Sequence, residues 1–287
     1  MKNILELQQV SKTFLKSNFT LEDVTFSLPY GSILGFVGEN GAGKTTTIGC
    51  ILNTIKKDSG TIKLFGQEML DADTSLREKI GVVYDGDNFP AYWTAKQLSD
   101  VMEGLYTQWD NSLFQKYLED FHLPMKQKMK HYSKGMTMKL AIAAALAHHP
   151  ELLILDEATS GLDPVIRDDI LDMLLDFVQD EEHSILVSSH ITSDLEKIAD
   201  YIVFIHKGKV VFSKPKDELI EQYGVIKCGA AQFDALDKSD IITYRKMDYE
   251  WQILVSERDK IQKKYPKALI VPATIDEIML LYVKGER

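Results

Sequence analysis

Apolar and polar residues alternate over much of the first 36 positions, as in Ile4-Leu5-Glu6-Leu7 and Leu21-Glu22-Asp23-Val24-Thr25-Phe26-Ser27-Leu28. A period of two marks half-buried strands, and Pro29, Tyr30 and Gly31 interrupt it as a turn, so an antiparallel meander is predicted here. Ile33 to Val37 is instead a short unbroken apolar run, the pattern of a strand buried on both faces. A helix follows over about 45–55, then a strand between the turns at Ser59-Gly60 and Gly66, a short helix over 76–79, and a strand over 80–84. Asp85-Gly86-Asp87-Asn88-Phe89-Pro90 breaks the pattern as a loop. Over 94–129 the apolar residues recur at helical spacing (Leu98, Val101, Met102, Leu105; Leu113, Tyr117, Leu118, Phe121), which predicts a helical block without strands. Beyond it lie an Ala-rich helix over 137–147, an apolar strand from Leu152, a helix over 165–180, a strand over 184–190 and a hairpin across Lys207-Gly208.

The tail has a different rhythm. Strand, helix, strand, strand, helix, strand are predicted over 224–228, 232–236, 241–245, 250–255, 257–264 and 269–271, with a last helix over 275–283. That βαββαβ order is the ferredoxin-like pattern of a small α+β domain.

Composition narrows the class. The 287 residues are 45% hydrophobic and 26% charged, ordinary for a globular chain of about two domains. Nothing approaches the roughly 18 uninterrupted apolar residues of a membrane helix, and Met1 to Val10 lacks the apolar core of a signal peptide. The formal charge of −10 disfavours a nucleic-acid binder, and none is expected as a partner. Cys50 and Cys228 stand far apart without metal-ligand spacing, as buried thiols in a reducing cytoplasm do. Met125, Met129, Met136 and Met138 read as adaptable core fillers rather than metal ligands.

The chemistry gathers at the ends of the predicted strands. Gly38-Glu39-Asn40-Gly41-Ala42-Gly43-Lys44-Thr45-Thr46 fills the P-loop pattern directly after the Ile33 run. Gly38, Gly41 and Gly43 let successive N–H groups turn toward one anion, and the following helix adds the positive end of its dipole. Lys44 reaches the β- and γ-phosphates, and the Thr45 hydroxyl is placed to ligate Mg²⁺. Four apolar residues lead straight into Asp156 and Glu157; in a P-loop protein the first acid holds Mg²⁺ and the second orients or activates the attacking water. Ser133-Lys134-Gly135 opens a helix, either as a cap or as a second phosphate cradle. His190 ends a strand at the edge where α/β sheets place ligands. Phe14 is a candidate to stack on a base, although a lone aromatic is more often plain packing.

The order of these motifs resembles the ATP-binding subunit of an ABC transporter over about residues 3–220. Residues 38–46 resemble Walker A, 152–157 Walker B, 132–136 the signature motif, Ser160-Gly161-Leu162-Asp163 the D-loop, and His190 the switch histidine. The resemblance implies a P-loop ABC core (α/β, mixed sheet, antiparallel β subdomain, helical subdomain about 86–131) over 1–215, and a C-terminal α+β domain over 216–287. It implies ATP and Mg²⁺ as cofactors. Gly38, Asn40, Gly41, Ala42, Gly43, Lys44, Thr45 and Thr46 would bind the nucleotide, with Phe14 on the adenine and Asp163 in the D-loop. Thr45 and Asp156 would hold the metal, Glu157 would be the general base, and His190 would contact the γ-phosphate. Ser133 and Gly135 would bind ATP held by the opposite subunit of a pair, either a second copy or a paralogue. The resemblance further implies a separate transmembrane permease and a cytoplasmic place on the inner face of the cell membrane.

Two departures stand out. The usual Leu-Ser-Gly-Gly-Gln becomes Tyr132-Ser133-Lys134-Gly135-Met136, and the usual glutamine after the strand ending at Tyr84 becomes Asp85. An aspartate offers oxygen to Mg²⁺ but no N–H₂, which gives Asp85 a metal or coupling role and adds negative charge near the phosphates. The tail and the Tyr-Ser-Lys-Gly-Met form resemble bacterial exporters of peptides and antibiotics, of the bacitracin-resistance and phenol-soluble-modulin type. Two alternatives are a soluble ABC ATPase acting on ribosomes or nucleic acid and a weakly hydrolysing regulatory subunit. The first lacks its usual fused cassettes or coiled coil here, and intact Lys44, Asp156, Glu157 and His190 argue against the second.

Overall fold

The computed structural model describes residues 2–15, 19–68, 74–86 and 88–286. Asp87 of the predicted 85–90 loop, and the terminal Met1 and Arg287, lie outside them. The chain divides into two compact units, Met1–Ser213 and Lys214–Arg287.

In the first unit the alternating segments form an antiparallel sheet in which β1 (Asn3–Thr13) lies between β2 (Thr20–Pro29) and β4 (Ser59–Leu64). The meander is therefore not completed by the next strand in sequence; β4 takes that place. Leu7 and Val10 are three positions apart, which in a regular strand puts them on opposite faces. A register shift between them, with Gln9 at φ 50°, brings both inside, and Asp23 at φ 49° does the same between Leu21 and Val24.

Among the described residues the second sheet runs β5 (Ile80–Tyr84), β6 (Leu152–Asp156), β7 (Ser184–Ser189), β3 (Ile33–Val37), β8 (Tyr201–His206) and β9 (Lys209–Pro215). The pairs from β5 to β8 are parallel. Every residue of β3, β6 and β7 is buried, which is why their sequences are runs rather than alternations. Helices α1 (Lys44–Ile51), α5 (Lys134–Leu146), α6 (Pro164–Phe177) and α7 (Thr192–Ile198) follow strands or loops of this sheet. The sequence pattern did not predict α7, two turns long and mostly polar. The short α2 (Thr74–Arg77) precedes β5.

The expected helical block is two helices, α3 (Ala95–Leu105) and α4 (Asn111–Asp120), and a 3₁₀ turn at Met129–His131. Thr94 and Gln97 form a reciprocal capping box at the start of α3, and Asp110 caps α4, so the chain has a new helix start where one continuous period was read. Leu98, Phe114 and Leu118 pack with Leu140 and Ala143 of α5 and with Ala147 just after it. Val101 and Leu105, assigned to the apolar face from their spacing, point instead to solvent, Leu105 at 66% exposure. Met129 and Met138 are buried and Met125 and Met136 pack against this cluster.

The second unit contains α8 (Lys216–Gln222), also unpredicted, then β10 (Gly224–Cys228), α9 (Ala230–Asp234), β11 (Thr243–Lys246), β12 (Trp251–Val255), α10 (Arg258–Lys264), β13 (Leu269–Pro272) and α11 (Ile275–Lys284). Its sheet order is β11-β12-β10-β13, antiparallel throughout, the arrangement of a split βαβ unit. Ile226, Ile253, Val255 and Ile261 are the centre of its core. Cys50 and Cys228 are both free and buried, and burial pushes each thiol pKa up, so neither is a reactive thiolate. Among the described residues no helix is long and apolar enough to cross a membrane.

Candidate functional site

The parallel strands deliver their C-terminal ends to one place. After β3 the chain turns through Gly38–Gly43 into α1. Gly38 is required by crowding, since a Cβ there would stand 2.5 Å from the Ile205 carbonyl oxygen. Gly43 is required by its φ of +117°, in the region that side chains avoid. The loop therefore lies against β8.

Lys44 is 94% buried (6% exposed), and its ammonium donates to the Gly38 carbonyl at 2.7 Å while lying 3.0 Å from Glu157 Oε1. A buried cation needs partners of this kind. The Thr45 hydroxyl donates to Asp156 Oδ2 at 2.7 Å. Ser188 Oγ, from the end of β7, donates to Asp156 Oδ1 at 2.5 Å. Glu157, at φ 56°, is turned out of the strand line, and its amide donates to both the carbonyl and the hydroxyl oxygen of Ser188, at 3.1 and 3.2 Å. That turn aims the carboxylate at the P-loop, where Glu157 Oε2 meets His190 Nδ1 at 2.6 Å. Burial pushes the pKa of Tyr84, on the neighbouring strand end, above its usual value, and the charge of Asp156 adds to this.

A cavity of about 500 Å³ opens here, lined by Phe19, Asn40, Lys44, Thr45, Thr46 and Glu157 among others. Its floor is the P-loop backbone and its polar wall carries the Lys44 cation and the carboxylates of Glu39 and Glu157, suited to a polyphosphate and an attacking water. The structure thus brings together Gly38, Asn40, Gly41, Ala42, Gly43, Lys44, Thr45, Thr46, Asp156, Glu157 and His190. No group of three or more metal-ligating His, Cys, Asp or Glu side chains exists among the described residues. The Thr45–Asp156 pair nevertheless offers two hard oxygens already side by side, the donor type that Mg²⁺ takes.

The other expected residues sit elsewhere. Phe14 is not in the cavity wall; its ring lies 6.4 Å from that of Phe19, which is. Ser133 caps α5 through Met136 N, and Gly135 is pressed against Ile166, whose side chain would be 3.1 Å from a Cβ there. Asp163 caps α6 through Val165 N and Ile166 N. Ser133, Gly135 and Asp163 therefore cluster at the starts of α5 and α6, and none of them lines the P-loop cavity. The Asp85 carboxylate pairs with Lys134 at 2.9 Å and does not line the P-loop cavity, while the Asp85 amide donates to the Asp156 carbonyl at 2.8 Å. Ser188 was not singled out from the sequence; its one signal was a serine near the C-terminal end of a fully buried strand, shared with Ser184 and Ser189 of the same strand.

Comparisons with known proteins agree with this geometry. The family model described as ABC transporter matches residues 21–160. The chain is 30% identical to the ABC transporter ATP-binding protein YtrB of Bacillus subtilis (strain 168), over 99% of each chain. It is 33% identical to the bacitracin transport ATP-binding protein BcrA of Bacillus licheniformis, over 76% of this chain and 72% of that one. A solved structure of an ATP binding subunit of an ABC transporter is 27% identical and superposes with a TM-score of 0.66, covering 75% of this chain and 91% of that one. This chain belongs to the ATP-binding subunits of ABC transporters and is an ATPase.

Proposed function

We propose that the chain is the motor of an exporter for peptide antibiotics or other amphipathic compounds, acting in pairs. The observation that carries the pairing is the separation of Ser133 and Gly135 from the chain's own P-loop cavity. With one P-loop and one signature turn per chain, each signature turn completes a neighbour's site, and two ATP molecules lie between two chains. Whether the neighbour is a second copy or a paralogue, the geometry required of it is the same. Similarity to bacitracin transport proteins supports the cargo class.

In this reading the P-loop amides and Lys44 bind the phosphates, and Lys44 exchanges Glu157 for phosphate oxygens. Glu157, released from that ion pair, accepts the proton of the water that attacks the γ-phosphorus; the bond to the β–γ bridging oxygen breaks, giving ADP and phosphate. His190, paired with Glu157 at 2.6 Å, orients that carboxylate and contacts the γ-phosphate. Thr45 and Asp156 would hold Mg²⁺, which neutralises phosphate charge when bound. Phe19, which lines the cavity, would flank the adenine with Phe14 behind it, and Asp163 orders the D-loop. Asp85 takes a coupling role, its carboxylate being already engaged by Lys134. The helical block, about 86–131, faces a separate permease that spans the membrane and keeps this chain at its cytoplasmic face.

Glu157→Gln is the test. It preserves the shape of the site and removes the base, so Mg²⁺ and ATP should convert the variant to a stable dimer in gel filtration with hydrolysis lost. A variant that stays monomeric at saturating ATP overturns pairing with a second copy, and failure to bring down any ABC ATPase from native membranes overturns pairing with a paralogue. Purification of tagged protein from detergent-solubilised native membranes should bring down a multi-span partner, and recovery with ribosomes or nucleic acid would refute the transporter role.

A further inference from the structure

Asp85 and Lys134 are the two positions where the chain places a charge and the resembled pattern has a neutral residue, and they are each other's partners, Nζ to Oδ1 at 2.9 Å. Both ends rest on fixed backbone. Asp85 N donates to Asp156 O at 2.8 Å, one residue beyond the Tyr84–Asp156 step of the β5–β6 ladder. Asn88 closes the turn that follows, accepting from Tyr84 N and donating to the Tyr84 and Gly86 carbonyls. Lys134 opens α5 directly after its Ser133 cap. Its ammonium also stands beside the Ser160–Asp163 turn, where a Cβ on Gly161 would lie 3.3 Å from Nζ.

Each charge alone is misplaced. A lysine in the first turn of a helix faces the positive end of the dipole. An aspartate hydrogen-bonded through its backbone to Asp156 adds negative charge beside a site for polyphosphate. Together they cancel. The pair is 47% and 41% exposed, so it changes the folding equilibrium by a factor of only about 2–5. Its effect belongs to the electrostatic field at the nucleotide and to the alignment of three loops.

We infer that Lys134 is a positioning residue, whose charge cancels Asp85 beside the nucleotide site and whose pairing ties the signature turn to the end of β5. This rests on the ATP-site reading above. The experiment is steady-state ATPase activity of the full chain against ATP concentration for Lys134→Met, Asp85→Asn, the double variant and Lys134→Arg. Unmatched Asp85 should raise the KM for ATP of Lys134→Met by about 3–10-fold, with kcat changing less. Asp85→Asn should lower KM, and the double variant should return to within about twofold of wild type. Lys134→Arg, which keeps the charge, should rescue. Raising ionic strength from about 0.05 M to about 0.5 M should shrink the Lys134→Met effect through screening. Thermal midpoints should stay within about 1 °C of wild type, a result a structural role would not give. An unmoved KM in Lys134→Met, or a double variant no nearer wild type than that single one, overturns the inference while leaving the ATP site standing. A wild-type chain that hydrolyses no ATP would instead sink the reading on which it rests.

Discussion

Ser188→Ala probes the support of the site most directly. The Ser188 side chain is fully buried, and its hydroxyl makes two bonds: it donates to Asp156 Oδ1 at 2.5 Å and accepts from Glu157 N at 3.2 Å. Removing it leaves Glu157 N with the Ser188 carbonyl at 3.1 Å, so the backbone turn survives. Asp156 is the loser. Its residue is 94% buried (6% exposed), and among the described residues its carboxylate keeps only the Thr45 hydroxyl, at 2.7 Å, on the opposite oxygen. Loss of a hydrogen bond to a buried charged group costs about 2 kcal/mol. In the 213 residues of the first unit that amounts to about 4–8 °C in its thermal midpoint. A carboxylate free to rotate also misaligns Thr45, and kcat/KM should fall by about tenfold or more. Calorimetry of the nucleotide-free protein and a phosphate-release assay measure the two effects. A midpoint within about 1 °C of wild type together with kcat/KM within about twofold would refute the claim that this hydroxyl holds Asp156.

Gly38→Ala would place a methyl 2.5 Å from the Ile205 carbonyl, so the loop must lift from β8; a loss of about 1–3 kcal/mol in stability and of nucleotide binding is expected, checked by urea unfolding and ATP titration. His148 is buried with Nε2 3.2 Å from the Ile80 carbonyl and its ring stacked 4.1 Å from Tyr106, and burial holds its pKa below the usual histidine value. The unfolded chain therefore binds this proton at a higher pH than the folded one. The neutral ring's contribution is complete above about pH 6.5 and is lost as pH falls through the folded pKa, at up to about 1.4 kcal/mol per pH unit. His148→Gln should flatten the acid-side decline in urea midpoints between pH 7 and 5, and identical slopes would refute the assignment.

How far the chain could be read from its residues depended on whether a signal was local. The P-loop is local: glycines, lysine and threonine within nine positions, with each residue type demanded by backbone sterics or charge, so its role could be assigned without coordinates. The buried strands were equally plain, because a strand covered on both faces leaves an unbroken apolar run. The break between α3 and α4 was present in the sequence as Asp110 before Asn111, yet an unbroken apolar period concealed it, and Val101 and Leu105 were assigned to the wrong face. The helices α7 and α8 were missed because seven residues span barely two turns, too few for a period to register.

What the residues determined by themselves was the chemistry on offer: a phosphate cradle, a strand ending in two acids, a capped signature turn and a histidine. Which of these meet was decided only by the tertiary structure. Parallel pairing of β6, β7 and β3, the last of them more than a hundred positions from the other two in sequence, places Asp156, Ser188 and Lys44 within hydrogen-bonding reach of a shared site. The same packing holds Ser133 and Gly135 outside that cavity and sets Asp85 against Lys134. Neither fact has a local signature, because a strand's neighbour is chosen by the burial of the whole sheet and not by the residues next to it in sequence.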